Sequence, residues 1–246
     1  MKTAAGFFLC LAIPFLISGC VAHNAADEME KRMRDQARLR ALEPTYVATY
    51  DVSLLEVQRP ADAQARFEDI KTSQVDTGKG RLFQAEDQLL RIVWNGPDVQ
   101  LGFDLLNKAD SSVKVVWDEA AYVDIGGQIH RVIHNGVKLA ERNSPQPPSV
   151  IPSKGRLNDM VYLSDNVSYS GSRYSGGWSQ MPMFPCTPGM VCPDHFRKLA
   201  VAHSGMDYRV LLPIEVGKES CPYTFVFRVN KAQVVTINKS GDEATK

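Results

Sequence analysis

The 246-residue chain has no excess of charge of either sign: Lys and Arg number 28, Asp and Glu number 28, and the formal net charge is +0. The basic footprint that follows a phosphate backbone is missing, so nucleic acid is not expected as a partner. Long apolar runs are also missing. The most apolar stretch, residues 7–17, falls short of the ~20 residues that a membrane-spanning helix needs. With 44% hydrophobic and 23% charged residues, the composition is that of a globular protein. Wholesale disorder and a polytopic membrane protein are both excluded. There is no GxSxG elbow, no P-loop, no HExxH and no internal repeat of fixed period. We therefore expect no catalytic residue, no resident metal and no cofactor.

What is present begins at the N-terminus. Lys2 precedes the short apolar run, which ends in Ile17-Ser18-Gly19-Cys20. This pattern resembles the signal peptide and lipobox of bacterial lipoproteins. The resemblance implies cleavage before Cys20, a diacylglyceryl thioether on its sulfur and acylation of its new amine. More than one acyl chain is what stable anchoring requires, at ~0.8 kcal/mol per buried methylene. Removing residues 1–19 removes one cation, Lys2, and no acid, which leaves 27 cations against 28 acids. Val21 rather than Asp follows Cys20, and the family's sorting rule then points to the outer membrane, facing the periplasm.

Residues 24–43 carry Glu28/Arg32 and Glu30/Arg34 as acid-before-base pairs four apart, with a thin stripe of Met29, Met33 and Ala37 before Pro44. They predict a solvated helix, and residues 20–44 are read as a lipidated tether. The period then changes to two. Strands are predicted over residues 46–54, 89–94, 99–105 and 113–117, in a hairpin around Gly126-Gly127, and over 208–216, 223–229 and 234–237. Residues 60–70 suit a short helix. Many short strands with turn signals between them argue for a β-sandwich or barrel over residues 45–240, followed by a short tail at 241–246. Phe103, Trp117, Phe225 and Phe227 fall on alternating apolar faces and are expected in the core.

The run LGFDLLNKADSSVKVVWDEAAYVDIGGQIHRVIHNGVK, with PPSVIPSKG and the later VLLPIEV and YTFVFRV, resembles a group of bacterial lipoproteins with an immunoglobulin-like β-sandwich. The likeness covers roughly residues 85–230 and implies fold and anchoring. No catalytic motif defines that group, so it carries over no site residue.

Three cysteines remain after Cys10 and Cys20 are assigned to the leader and the anchor. An exported compartment favours oxidation. Cys186 and Cys192 flank a Pro188-Gly189 turn and are the easiest pair to join, although Cys221 offers two other pairings. Cys186, Cys192, Asp194, His195 and His203 give a weaker zinc alternative, because C-x5-C-x-D-H matches no standard ligand spacing. His130 and His134 are four apart on or beside a strand, hence ~13 Å apart, and read as surface or hairpin histidines. Asp118, Glu119 and Asp124 read as solvated carboxylates rather than a glycosidase pair.

Residues 164–185, SDNVSYSGSRYSGGWSQMPMFP, stand out by composition. Tyr169, Arg173, Tyr174 and Trp178 lie among Ser and Gly, as in adaptable binding loops. The stretch reads as a long surface loop. The resulting expectation is a non-enzymatic envelope lipoprotein that presents a β-sandwich to an envelope protein or a glycan. A cell-wall-active hydrolase, an inhibitor of one, or a structural subunit of an envelope or secretion assembly are the alternatives.

Overall fold

The computed structural model describes residues 28–35, 45–77, 80–96, 101–171, 176–188 and 191–237. Cys20, Arg173, Tyr174 and the Asn95–Asp98 turn beyond Gly96 lie outside them. Residues 28–35 form α1, which is exposed throughout. Its Glu30–Arg34 pair is formed at 2.7 Å, and Glu28–Arg32 is looser at 3.8 Å. The remainder of the expected helix over 24–43 is outside the described residues.

The protein is all-β in its main unit, as the alternation implies. One twelve-stranded antiparallel sheet runs through it. In chain order its strands are β1 (Thr45–Gln58), β2 (Lys71–Thr77), β3 (Gly80–Glu86), β4 (Leu90–Asn95), β5 (Leu101–Asn107) and β6 (Val113–Val115). They continue with β7 (Ala121–Val123), β8 (Ile129–Ile133), β9 (Ser149–Ile151), β10 (Arg156–Leu163), β13 (Asp207–Val216) and β14 (Glu219–Ile237). Two helices, α2 (Ala61–Phe67) and α3 (Pro193–Val201), lie between strands.

The path across the sheet is β1-β14-β13-β7-β8-β10-β5-β4-β3-β2, with β6 pairing β13 and β9 pairing β6. This single sheet curls until it nearly closes into a barrel. Arg81 links its two ends. Arg81 on β3 donates from Nε to Asp76 of β2 at 2.6 Å and from Nη1 to the Val52 carbonyl of β1 at 3.0 Å. A guanidinium thus stands where a ladder of backbone hydrogen bonds would complete the closure.

Curling brings the faces of β4 and β5 against those of β13 and β14. Trp94 lies 5.0 Å from Phe103, 5.0 Å from Phe225 and 5.8 Å from Phe227, ring centre to ring centre. Tyr208 stacks on Phe227 at 5.1 Å. All four expected core aromatics are buried. Trp117 reaches the core from a 3-10 turn (Trp117–Glu119) rather than from β6, which ends at Val115.

At one end of the sheet a carboxylate organises the turn between β3 and β4. Asp87 Oδ2 accepts from Arg59 at 2.5 Å and from the Tyr223 hydroxyl at 2.7 Å. Asp87 Oδ1 accepts the Leu89 and Leu90 amides at 2.8 and 2.9 Å. Both side chains of the ion pair are almost fully buried. Burial pushes the Tyr223 hydroxyl well above its ordinary value and raises the neighbouring Cys221 thiol.

The structure extends the sequence reading in several places. Residues 219–237 form one unbroken strand where two were expected. Strands β2, β3, β9 and β10 and helix α3 were not foreseen. The chief correction concerns residues 164–185. This stretch is not an irregular loop: it contains a 3-10 turn (Ser164–Asn166) and a hairpin, β11 (Val167–Gly171) with β12 (Gly176–Gln180), which forms a two-stranded sheet of its own.

Candidate functional site

The hairpin is built from its base outward. Val167 is buried and ties β11 to the body. The Asn166 carbonyl accepts the Met181 amide at 2.8 Å, and the Asn166 side-chain amide donates to the Pro182 carbonyl at 3.2 Å. Beyond this closed base the register pairs Ser168 with Ser179, Tyr169 with Trp178 and Gly171 with Gly176. Alternation then sorts the two faces. One bears Ser168, Ser170, Gly177 and Ser179; the other bears the aromatic pair.

Tyr169 and Trp178 lie 5.2 Å apart, ring centre to ring centre. They remain 60% and 39% exposed, in a protein whose other two tryptophans are buried completely. The glycines explain how Tyr169 is held. A Cβ on Gly171 would lie 2.8 Å from the Tyr169 ring, and one on Gly176 would collide with its hydroxyl. The ring therefore lies flat across backbone that has no side chains. Arg142, just after the 3-10 turn Leu139–Glu141, places its guanidinium 5.2 Å from the centre of the Trp178 ring. That contact draws on the negative face of the indole. Arg173 and Tyr174, expected to join this surface, lie outside the described residues.

The hairpin stands beside a histidine. His130 on β8 meets Asp165 through Nδ1 at 3.0 Å and Asp124 through Nε2 at 3.1 Å. Asp165 lies two residues ahead of β11. Asp124 opens the turn between β7 and β8, and its Oδ1 accepts the Gly126 and Gln128 amides, each at 2.8 Å. Gly127 takes the positive φ of 80° that this turn requires. Burial works against ionisation of both groups. The hydrogen bonds outweigh it, so His130 is raised and Asp124 lowered from their ordinary values.

His134 is engaged differently. Its ring stacks on Trp117 at 4.2 Å with 2° between planes, and Nδ1 meets Asp159 at 3.1 Å. Asp159 also accepts the Asn135 and Met160 amides, both at 2.8 Å. Asp118 accepts from Arg131 at 2.7 Å and from the Gln146 amide at 3.0 Å. Asp124 and the two histidines are thus part-buried braces between strands and turns, whereas Asp118 is hydrogen-bonded but remains exposed, as a solvated carboxylate would be. No family model, curated protein or solved structure matches this chain. The site is therefore read from its own geometry.

The cysteines separate into two regions. The Cys186 carbonyl accepts the Ala48 amide at 2.9 Å, and Cys192 caps the N-terminal end of α3. Between them, the Val191 amide donates to the Pro188 carbonyl at 3.0 Å. Cys221 lies instead beside Arg59 and Asp87; Arg59 follows the end of β1, eleven residues from Ala48, which would span roughly 36 Å if the strand ran straight. A bridge between Cys221 and Cys186 would need their Cα atoms within ~7 Å. Among the described residues no disulfide is formed, and no cluster of three or more His, Cys, Asp or Glu gathers as a metal site. Of the five side chains in the zinc alternative, Asp194 reaches Arg197 at 3.7 Å and His203 contacts the Leu199 carbonyl at 2.8 Å.

Sequence reasoning identified Tyr169 and Trp178 but missed Arg142 and the His130–Asp165 contact. Arg142 lies 36 residues from Trp178, and Asp165 lies 35 from His130. No local spacing signals either pair.

Proposed function

We propose that this chain is an envelope lipoprotein, anchored through acylated Cys20, whose β domain binds an envelope protein or a glycan through the β11–β12 hairpin. The exposed Tyr169–Trp178 pair carries this reading, because the hairpin that bears it belongs to no part of the main sheet. Aromatic rings give large contact area for few rotatable bonds, and Trp, Tyr and Arg dominate binding hot spots. The carboxylates close to the hairpin support a binding rather than a catalytic role, since each is engaged in bracing the scaffold. The exposed α1, with its paired charges, supports the tether. The finer description of the body as an immunoglobulin-like sandwich is part of the same proposal, supported by two aromatic faces meeting across one core. The outer membrane, facing the periplasm, is the proposed location.

Residues 21–246, free of lipid, provide the test in two arms. One is sedimentation with purified cell-wall glycan; the other is equilibrium binding to a fractionated set of solubilised envelope proteins. We expect saturable binding in one arm. Replacing Tyr169 and Trp178 together with Ala should weaken it at least ~30-fold, the equivalent of ~2 kcal/mol. Binding that survives the double substitution would refute the hairpin as the surface.

A further inference from the structure

Resting on the hairpin reading above, we propose that His130 is a proton-operated latch on the hairpin: doubly protonated, it ties Asp165 at the hairpin base to the β7–β8 turn, and losing one proton releases that tie. The geometry requires it. Both ring nitrogens face a carboxylate oxygen, at 3.0 Å and 3.1 Å. An ionised carboxylate only accepts hydrogen bonds, and a neutral imidazole has only one N–H. Both contacts are therefore satisfied at once only by the imidazolium. In the neutral ring one lone pair confronts a carboxylate oxygen, and one contact must give way.

The two carboxylates are not equally free to leave. Asp124 is fixed by two backbone amides of its own turn and is 31% exposed. Asp165 is 67% exposed and, among the described residues, has besides His130 a long 3.4 Å contact from the Ser164 hydroxyl. The Asp165 contact is the one that opens. Asp165 adjoins Asn166, whose backbone and side chain close the hairpin base. Loss of the contact thus removes one tie between the β7–β8 turn and the base of the element that carries Tyr169 and Trp178.

The groups facing His130 are accounted for from each side. β7 supplies Tyr122, its partner in register, with ring centres 6.2 Å apart. The β7–β8 turn supplies Asp124 and the 3-10 turn supplies Asp165. On β8 itself Arg131 is committed to Asp118 and to the Ser144 carbonyl. One strand beyond, Arg209 of β13 lies opposite Val123. Burial favours the neutral ring, yet the two carboxylates outweigh it and raise His130 above its ordinary 6.5. The sign follows. A group whose value is raised on folding gives its full contribution below its unfolded value and loses it as pH climbs through the folded one. The latch is closed in acid and opens as the pH rises through the folded value, which lies above 6.5.

A ligand-free NMR titration of the full mature chain from pH 5.5 to 8.5 tests this. The amides of Val167–Gly171 and Gly176–Gln180 should shift with the same midpoint as the His130 ring signals. In His130→Gln the hairpin should no longer shift. In Asp165→Asn, an exposed position that does not threaten folding, the His130 midpoint should fall and the hairpin fall silent while the β7–β8 turn still titrates. Hairpin amides that do not move, that follow another midpoint, or that still titrate in Asp165→Asn would overturn the latch. If His130→Gln fails to fold, Asp165→Asn alone decides. No ligand is present, so failure here leaves the double-Ala binding result standing, and failure of that result leaves this titration standing.

Discussion

Asp87 illustrates how one buried carboxylate serves several elements. It joins Arg59 after β1, the turn into β4 and Tyr223 on β14, and its partners lie 28 and 136 residues away. Tyr223→Phe removes one donor and should cost ~1–2 kcal/mol in chemical denaturation. Asp87→Ala strands a buried guanidinium and should cost ~3–5 kcal/mol. Equal, small losses in the two variants would mean that Arg59 finds water. Residues of this kind were invisible in the sequence, where Asp87 is one of many acids, because nothing local signals a partner 136 positions on. Phe103, Phe225 and Phe227 were legible for the opposite reason: alternation alone assigns their face. Cys20 also rests on local pattern. Cys20→Ser should accumulate uncleaved precursor that takes up no labelled palmitate, and normal processing of the variant would remove the anchor from the account.

At the scale of elements, burial on one face made some strands legible but not all: β3 and β10 alternate in burial and were still missed, because polar residues interrupt their apolar period. β5 and β14 alternate because one side meets the core, and they were found. β11 and β12 are exposed on both sides apart from Val167, so no apolar period marks them. Their composition stood out while their pairing did not. The Tyr169 ring needs Gly171 and Gly176 beneath it, a cross-strand relation that only the register reveals. β2 was missed for the same reason, since all seven of its residues are exposed at the sheet edge. The segment leading into α3 carries its own prediction. In an oxidising compartment Cys186 and Cys192 should join, and peptide mapping without reductant should find that link and a reduced Cys221. A short loop of this kind contributes a few kcal/mol at most, ~2 here. A Cys221 linkage to either residue would contradict both the pairing and the separation of the two regions along β1.

For the whole molecule, the fold class was readable and the sheet order was not. Short strands with frequent turns specify an all-β body. The pairings of β5 with β10 and of β10 with β8 join distant segments, and alternation does not say which edge meets which. The near-closure through Arg81 is likewise a product of curvature rather than of any motif. A chain that begins at Thr45 should melt cooperatively and within ~0.5 kcal/mol of the full mature chain, as the exposure of residues 28–35 leads us to expect. A broad transition would make residues 20–44 part of the folding unit. The claim on which the account turns is that the hairpin is the surface that meets a partner in the envelope. Photo-crosslinking in intact cells, with a photoreactive residue at position 169 and at Val75 as an exposed control on β2, tests it most directly. The account predicts one discrete adduct, protein or glycan, from position 169, its loss when Trp178→Ala is added, and none from position 75. Equal adducts from both positions, or an adduct from position 75 alone, would contradict it.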